Sequence, residues 1–450
     1  MQSPVAAQVA EPTTAAAGRE SRLRIVRPAL VAAFRRLMRL YFRDIERVGD
    51  APSADTRGRV IVSNHTNALI DPILVLTDAA CEISPVAKST LWSIPGLRWL
   101  LDRAGAVPIV RRKDNPDKDP ATTAATFGKV AEHLAGGGNI LIFPEGTSHS
   151  EPRLAPLRTG AARMLLAAEQ RGGEPTFQAA ALEFDARTDF RSRCLVLWGP
   201  VRRFADLTGD AEDRVRAATE LMADDLRDLL VEGDTHEERL RIARVAEMLA
   251  NDDNDRTLGT WSGIGRRVEL AARTLRTVND HTSIMRVAER VDEYYAELER
   301  LGVDDAQVAG ARVGTVRPLG PPPEPPWLRA LLAPLAASGV ALYALPYFIP
   351  RLIARSQDPD ARSTIKLGSA LLVYPLWMGG LVAGSLLLLP PPLSLGAAAV
   401  AITSPFAALR WLDAWYLRRE TPTPRELVRL ARLRIAARTA IDEARSRLPS

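Results

Sequence analysis

Between Arg59 and Phe204 short apolar runs alternate with helix-length segments. The runs at 59–63, 82–87, 106–110, 139–143, 177–184 and 194–198 have the length and β-branched content of strands. The segments at 72–80, 121–135 and 160–170 have helical spacing. Strand–helix alternation predicts an α/β domain, with a largely parallel sheet flanked by helices, over residues 49–206.

Ahead of it, Pro28 is placed to open a helix. Leu30, Phe34, Leu37, Tyr41 and Ile45 would share one face, with Met38 beside them and Arg35, Arg36, Arg39 and Arg43 on the other sides. This predicts a basic amphipathic helix within 24–48, lying either on anionic lipid or against its own domain. Residues 1–23 read as a disordered tail; the stretch to Arg19 is rich in Ala, Thr and Pro and has no apolar core of a signal peptide.

Residues 207–315 are charged and helical in pattern, with breaks at Gly233 and 251–255. Residues 316–326 contain a Pro-rich linker. Ala330 to Pro350 is then uncharged for 21 residues, and Leu367 to Leu409 for 43, interrupted by Pro390-Pro391-Pro392. Such lengths predict transmembrane or re-entrant helices over 327–410, so the chain combines the α/β domain with a helical region and a C-terminal membrane-embedded helical segment. The 43-residue stretch suggests a hairpin; the first stretch is either a third span or a re-entrant piece. A basic helical tail, 411–450, follows.

Composition refines this picture in two ways. The net charge of +5 is matched by the ten Arg and five acidic residues from Arg410 onward. The basic balance therefore argues for a membrane surface and against nucleic acid as partner. Basic flanks at 351–366 and after Arg410 place both on the cytoplasmic side, predicting a cell inner-membrane protein with a cytoplasmic catalytic domain. The two cysteines, Cys81 and Cys194, have no metal or redox spacing. The five histidines form no ligand-spaced cluster, so neither metal nor cofactor is expected.

Candidate chemistry sits at strand ends. Ser63 to Pro72 reads SNHTNALIDP, just past the 59–63 run. Pro72 at a first helical position would make Asp71 the N-cap, from which a carboxylate can orient the imidazole of His65. No G-x-S-x-G supplies an enzyme nucleophile. His65 would therefore activate a hydroxyl of a bound substrate. Asn139 to Ser148, NILIFPEGTS, delivers Glu145, Gly146 and Thr147 to a strand end, with His149 either lining the site or standing in a solvated loop. Arg158-Thr159-Gly160 precedes the next helix. The 106–110 run ends at Arg111 and Arg112, whose guanidinium groups suit a phosphate. Ligands of such sheets bind at the carboxyl ends of the strands. Asn64 and Asn67, flanking His65, join the candidate substrate-binding residues.

The order N-H-x(5)-D-P, G-x(5)-R, F-P-E-G-T-S resembles the glycerolipid acyltransferases, the lysophosphatidic-acid and glycerol-3-phosphate acyltransferase superfamily, in a bacterial form with five residues between His and Asp where four are commonest. A second departure is the run Gln178–Leu182, which lacks the Pro usual in the fourth family block. The resemblance implies transfer of a fatty acyl group from acyl-CoA or acyl-carrier protein to a hydroxyl of a glycerophospholipid precursor, first of all 1-acylglycerol-3-phosphate, in phospholipid biosynthesis. It implies His65 as base, Asp71 as its partner, Arg111 on the phosphate, and Glu145, Gly146 and Thr147 in the acceptor site. The alternatives are glycerol-3-phosphate or another lysophospholipid as acceptor, or an inactive membrane scaffold.

Overall fold

The computed structural model describes residues 14–109, 120–253, 255, 257–313, 325–416 and 422–448. Helix α1 (Thr14–Tyr41) leads into strand β1 (Asp44–Val48). Strands β2 (Arg59–Ser63), β3 (Ile83–Lys88), β4 (Val107–Ile109), β5 (Asn139–Ile142), β6 (Thr176–Phe184) and β7 (Arg193–Arg203) follow. Between them lie α2 (Ile70–Asp78), α3 (Pro95–Ala104), α4 (Pro120–Ala135) and α5 (Gly160–Glu169). The sheet order is β1-β7-β6-β2-β5-β3-β4. Only the β6–β7 pair is antiparallel; every other neighbouring pair is parallel.

Both faces of the sheet are covered, which is why its strands read as continuous apolar runs. Successive residues nevertheless point to opposite layers. Val60, Val62, Ile140, Ile142, Phe177 and Ala179 pack under α4 and α5. Ile61, Leu141, Ala180, Leu182 and Val196 pack under α1 and α2.

Several expectations are corrected here. The helix expected to open at Pro28 begins at Thr14, carrying Pro28 inside it, and the Ala-rich run 15–17 favours that helix. The expected disordered tail thus shortens at its C-terminal end, and residues 1–13 lie outside the described ones. The amphipathic segment also ends early, because residues 44–48 form β1, paired with β7. Of its two readings the second holds for the packed face: Met38, Tyr41 and Phe42 are buried in the domain, and Arg35 donates to the Thr77 carbonyl at 2.9 Å. Helix α3 fills a segment to which the sequence pattern assigned no element.

The boundary at 206/207 does not separate two cores. Helix α6 (Ala211–Leu229) puts Val215, Ala218, Met222 and Leu226 into the layer under α5. Its N-cap Asp210 accepts from the Asp213 amide. Helices α7 (His236–Asp252), α8 (Leu258–Thr277), α9 (His281–Leu301) and α10 (Asp305–Val313) extend from it. Most of the Pro-rich linker lies outside the described residues. Then come α11 (Pro326–Arg355), α12 (Pro359–Leu388) and α13 (Leu393–Tyr416), three helices long and apolar enough to cross a membrane. The basic tail is no free appendage: α14 (Pro424–Ser446), opened by a Thr423/Glu426 capping box, buries Leu430, Ala437 and Ile441 against α7, α9 and α10.

Candidate active site

Register decides which loops meet. Val62 of β2 lies opposite Ile142 of β5, so three residues further on His65 faces Glu145. The His65 amide donates to Glu145 Oε1 at 2.8 Å, and the His149 amide donates to the His65 carbonyl at 3.1 Å. The two strand-end loops are therefore one unit.

Within the first loop, His65 Nδ1 lies 3.0 Å from Asp71 Oδ2. The same oxygen accepts from the Thr66 and Asn67 amides, each at 2.7 Å. Asp71 is not the N-cap expected of it. Helix α2 starts at Ile70, with Leu69 at the cap, so the carboxylate sits inside the first turn and the loop amides fold back onto it. A carboxylate there also suits the positive end of the helix. Held in this way, the imidazole carries its proton on Nδ1 and presents Nε2 as the acceptor. The ring stacks on Phe143, with centroids 4.1 Å apart, which fixes its tilt.

His65 opens onto a cleft of about 970 Å³. Its walls are mainly apolar: Phe34 of α1, Ile73 and Leu76 of α2, Val86 of β3, and Leu97, Leu100 and Leu101 of α3. Its rim is polar, with Gly146, Thr147, Ser148, Arg158 and Thr159. Gly146 has a φ of +78°, and a Cβ there would stand 2.7 Å from Arg158 Nε. The glycine thus serves both the turn and the close seat of the guanidinium.

The expected site residues separate into two groups. His65, Gly146 and Thr147 border the cleft. Asn64, Asn67 and Glu145 are buried behind its wall. Asn64 exchanges two hydrogen bonds with the Leu182 backbone, at 3.0 and 2.8 Å, and so clamps β6 to the loop. Asn67 donates to the Arg187 carbonyl at 3.2 Å. Glu145 holds the His65 amide, the Ala155 amide at 2.9 Å, and His149 Nε2. A strand-end carboxylate in an FPEG turn looked like a ligand group; the register turns it inward. Arg111 lies outside the described residues.

Sequence reasoning gave no role to Arg158. It is exposed on the rim, its amide donates to the Pro144 carbonyl at 2.9 Å, and its guanidinium has no hydrogen-bond or ion-pair partner among the described residues. Its position two residues before α5, opposite FPEGTS, was the available signal. His149 proves to be a partner of Glu145 rather than a solvated loop residue. Burial raises the thiols of both Cys194 and Cys81, so neither is a ready thiolate.

The Acyltransferase family model matches residues 43–178. A chloroplastic 1-acyl-sn-glycerol-3-phosphate acyltransferase of Brassica napus is 31% identical over 27% of this chain and 33% of its own length. Its counterpart in Arabidopsis thaliana is 31% identical over 27% of this chain and 32% of its own length. Glycerol-3-phosphate O-acyltransferase 2 of Saccharomyces cerevisiae is 40% identical over 16% of this chain and 10% of its own. The chain thus spans about a third of the length of the plant relatives it matches. Among solved structures, the 1-acyl-sn-glycerophosphate acyltransferase PlsC from Thermotoga maritima aligns with a TM-score of 0.34 and 17% identity, over 47% of this chain and 81% of that one. Residues 43–178, most of the sheet domain, thus match the acyltransferase family, and the relatives they resemble are glycerolipid acyltransferases.

Proposed function

We propose that the chain transfers a fatty acyl group from a thioester, acyl-CoA or acyl-carrier protein, to the free hydroxyl of 1-acylglycerol-3-phosphate at a membrane surface. The observation that carries this reading is the His65–Asp71 pair at the mouth of a long apolar cleft, with a guanidinium on its rim that is unpaired among the described residues. Nε2 of His65 accepts the hydroxyl proton as that oxygen attacks the thioester carbonyl. The new C–O bond forms, the C–S bond breaks, and the proton passes from His65 to the departing thiolate. Asp71 stabilises the imidazolium in between. The apolar walls hold acyl chain, and Arg158 holds the acceptor phosphate, which supplies orientation as well as affinity. Arg111 joins it as a second phosphate contact.

The assay offers labelled acyl thioester with 1-acylglycerol-3-phosphate, glycerol-3-phosphate or an uncharged monoacylglycerol. Transfer to the first is expected. Arg158→Ala is expected to raise KM for the phosphorylated acceptor about 10- to 100-fold, the worth of one hydrogen bond to a charged group, with little change in kcat. An unchanged KM would remove Arg158 from the acceptor site.

The reading also places α11–α13 in the inner membrane, with the sheet domain on the cytoplasmic face. Helix α10 precedes this block and α14 follows it, yet both belong to one core. Three full crossings would leave them on opposite sides, so at most two are made. The pair α12–α13 suits a hairpin, because both of its outer ends sit on the sheet domain: Lys366 donates to the Thr188 carbonyl at 2.7 Å, and Asp413 pairs with Arg191. Helix α11, with Pro334, Pro346 and Pro350 inside it, is the re-entrant piece. A membrane-impermeant maleimide is expected to reach Met285→Cys on α9 and Val428→Cys on α14, both exposed, from the same side of sealed vesicles. Labelling from opposite sides would overturn this topology.

A further inference from the structure

The loop that carries His65 is held from outside the family domain. Thr364, in the second turn of α12, accepts a hydrogen bond from the Leu69 amide at 3.0 Å. One residue earlier, Ser363 donates to the Arg187 carbonyl at 3.1 Å. That carbonyl also accepts from Asn67. The Arg187 guanidinium donates to the Thr66 carbonyl at 2.9 Å, to the His149 carbonyl at 3.3 Å and to Ser150 Oγ at 2.7 Å. Leu367 anchors the same end of α12 in the core beneath α2. One arginine and one helix end therefore touch both strand-end loops of the site.

The loop needs such support. Ala68, next to the latched Leu69, has a φ of 37°, a conformation that residues with a Cβ rarely adopt. Strained backbone of this kind persists only where its surroundings over-determine it. Asp71 binds the loop at Thr66 and Asn67, upstream of Ala68; Thr364 binds it at Leu69, downstream.

We infer that Thr364 and Arg187 are positioning residues, through which the first turns of the apolar helix α12 hold the His65–Asp71 loop in its working geometry. Seating of the membrane segment and alignment of the base are then one structural event. The inference rests on the acyl-transfer reading above, with His65 as base.

The test compares Thr364→Val, which keeps shape and loses the acceptor oxygen, with Thr364→Ser, which keeps the oxygen, in the full-length protein in phospholipid vesicles. Thr364→Val is expected to lower kcat about fivefold to tenfold, the effect of one lost hydrogen bond at an aligning contact, with KM for acceptor and donor unchanged. Hydrogen exchange at the Leu69 amide should accelerate, and Thr364→Ser should restore both. Arg187→Ala should lower kcat further, with faster exchange at the amides of 66–69. A change in KM alone would make Thr364 a substrate contact and overturn the inference, as would wild-type kcat in Thr364→Val. Each outcome is read beside His65→Ala. If transfer there survives, the underlying reading has failed; if it is lost while Thr364→Val behaves as wild type, only the latch has failed.

Discussion

Replacing His65 by alanine is expected to lower acyl transfer by about 100- to 10,000-fold, the range that general-base assistance supplies. The substitution is clean for a structural reason. His65 holds its loop through its backbone, the amide on Glu145 and the carbonyl on the His149 amide, and alanine retains both. Asp71 keeps the Thr66 and Asn67 amides whether or not the ring is present. What is lost is the ring, with its stacking on Phe143 and its Nε2 in the cleft. KM should therefore move little and kcat carry the loss. Asp71→Asn should fall between the two, since an amide oxygen can still accept from the loop while the charge facing the imidazolium is gone. The measurement is initial rate against acceptor concentration for the three proteins, with folding checked by the thermal transition. Transfer that persists in His65→Ala would remove the proton acceptor from the mechanism.

The sheet was legible in the sequence because a strand covered on both faces is apolar throughout, and six of its seven strands announce themselves in this way. The seventh, β1, is hidden. Its sequence, DIERV, alternates and starts three residues after a basic amphipathic helix, so helical spacing absorbs Ile45 into the preceding stripe. The His65–Asp71 pair was legible too, since six residues of separation across a strand–helix turn leave few ways to arrange it. The destination of Glu145 was not. Whether a strand-end carboxylate faces a cleft or the neighbouring loop depends on pairing 80 residues away, which local pattern does not encode. The same holds for Asn64, whose partner Leu182 is 118 residues distant. The three apolar helices were visible from length and charge alone, whereas the packing of α14 with α9 and α10, on which the proposed topology rests, is a contact that no composition argument reveals.

Arg434→Ala is expected to destabilise the helical region by about 3–5 kcal/mol, as breaking a buried ion pair from one side does. In the sequence Arg434 is one of nine arginines in the basic tail, 411–450. In the fold its side chain is 1% exposed. It donates to Asp305 at 2.7 Å, to Asp252 at 2.7 Å and to the Met248 carbonyl at 3.0 Å. Asp305, itself fully buried, also accepts from the Tyr294 hydroxyl at 2.7 Å and from Asn251 at 2.9 Å. Burial alone would lower the guanidinium pKa; the two carboxylates outweigh it and hold the group above its ordinary value. Beside Asp305, and by burial first, the Tyr294 hydroxyl is pushed well up, so it stays a neutral donor. Removing the guanidinium leaves Asp305 charged in a core of Met248, Leu298 and Val308, with two neutral donors in place of a cation. The penalty is that of an uncompensated charge, so a second change should relieve it. Arg434→Ala combined with Asp305→Asn is expected to recover most of the loss, because a neutral amide can still serve Tyr294 and Asn251. Urea unfolding of the detergent-solubilised protein, followed by hydrogen exchange in α9 and α14, reads both effects. Equal losses in the single and double variants would mean that packing of the arginine stem, and not its charge, secures α14 to the bundle.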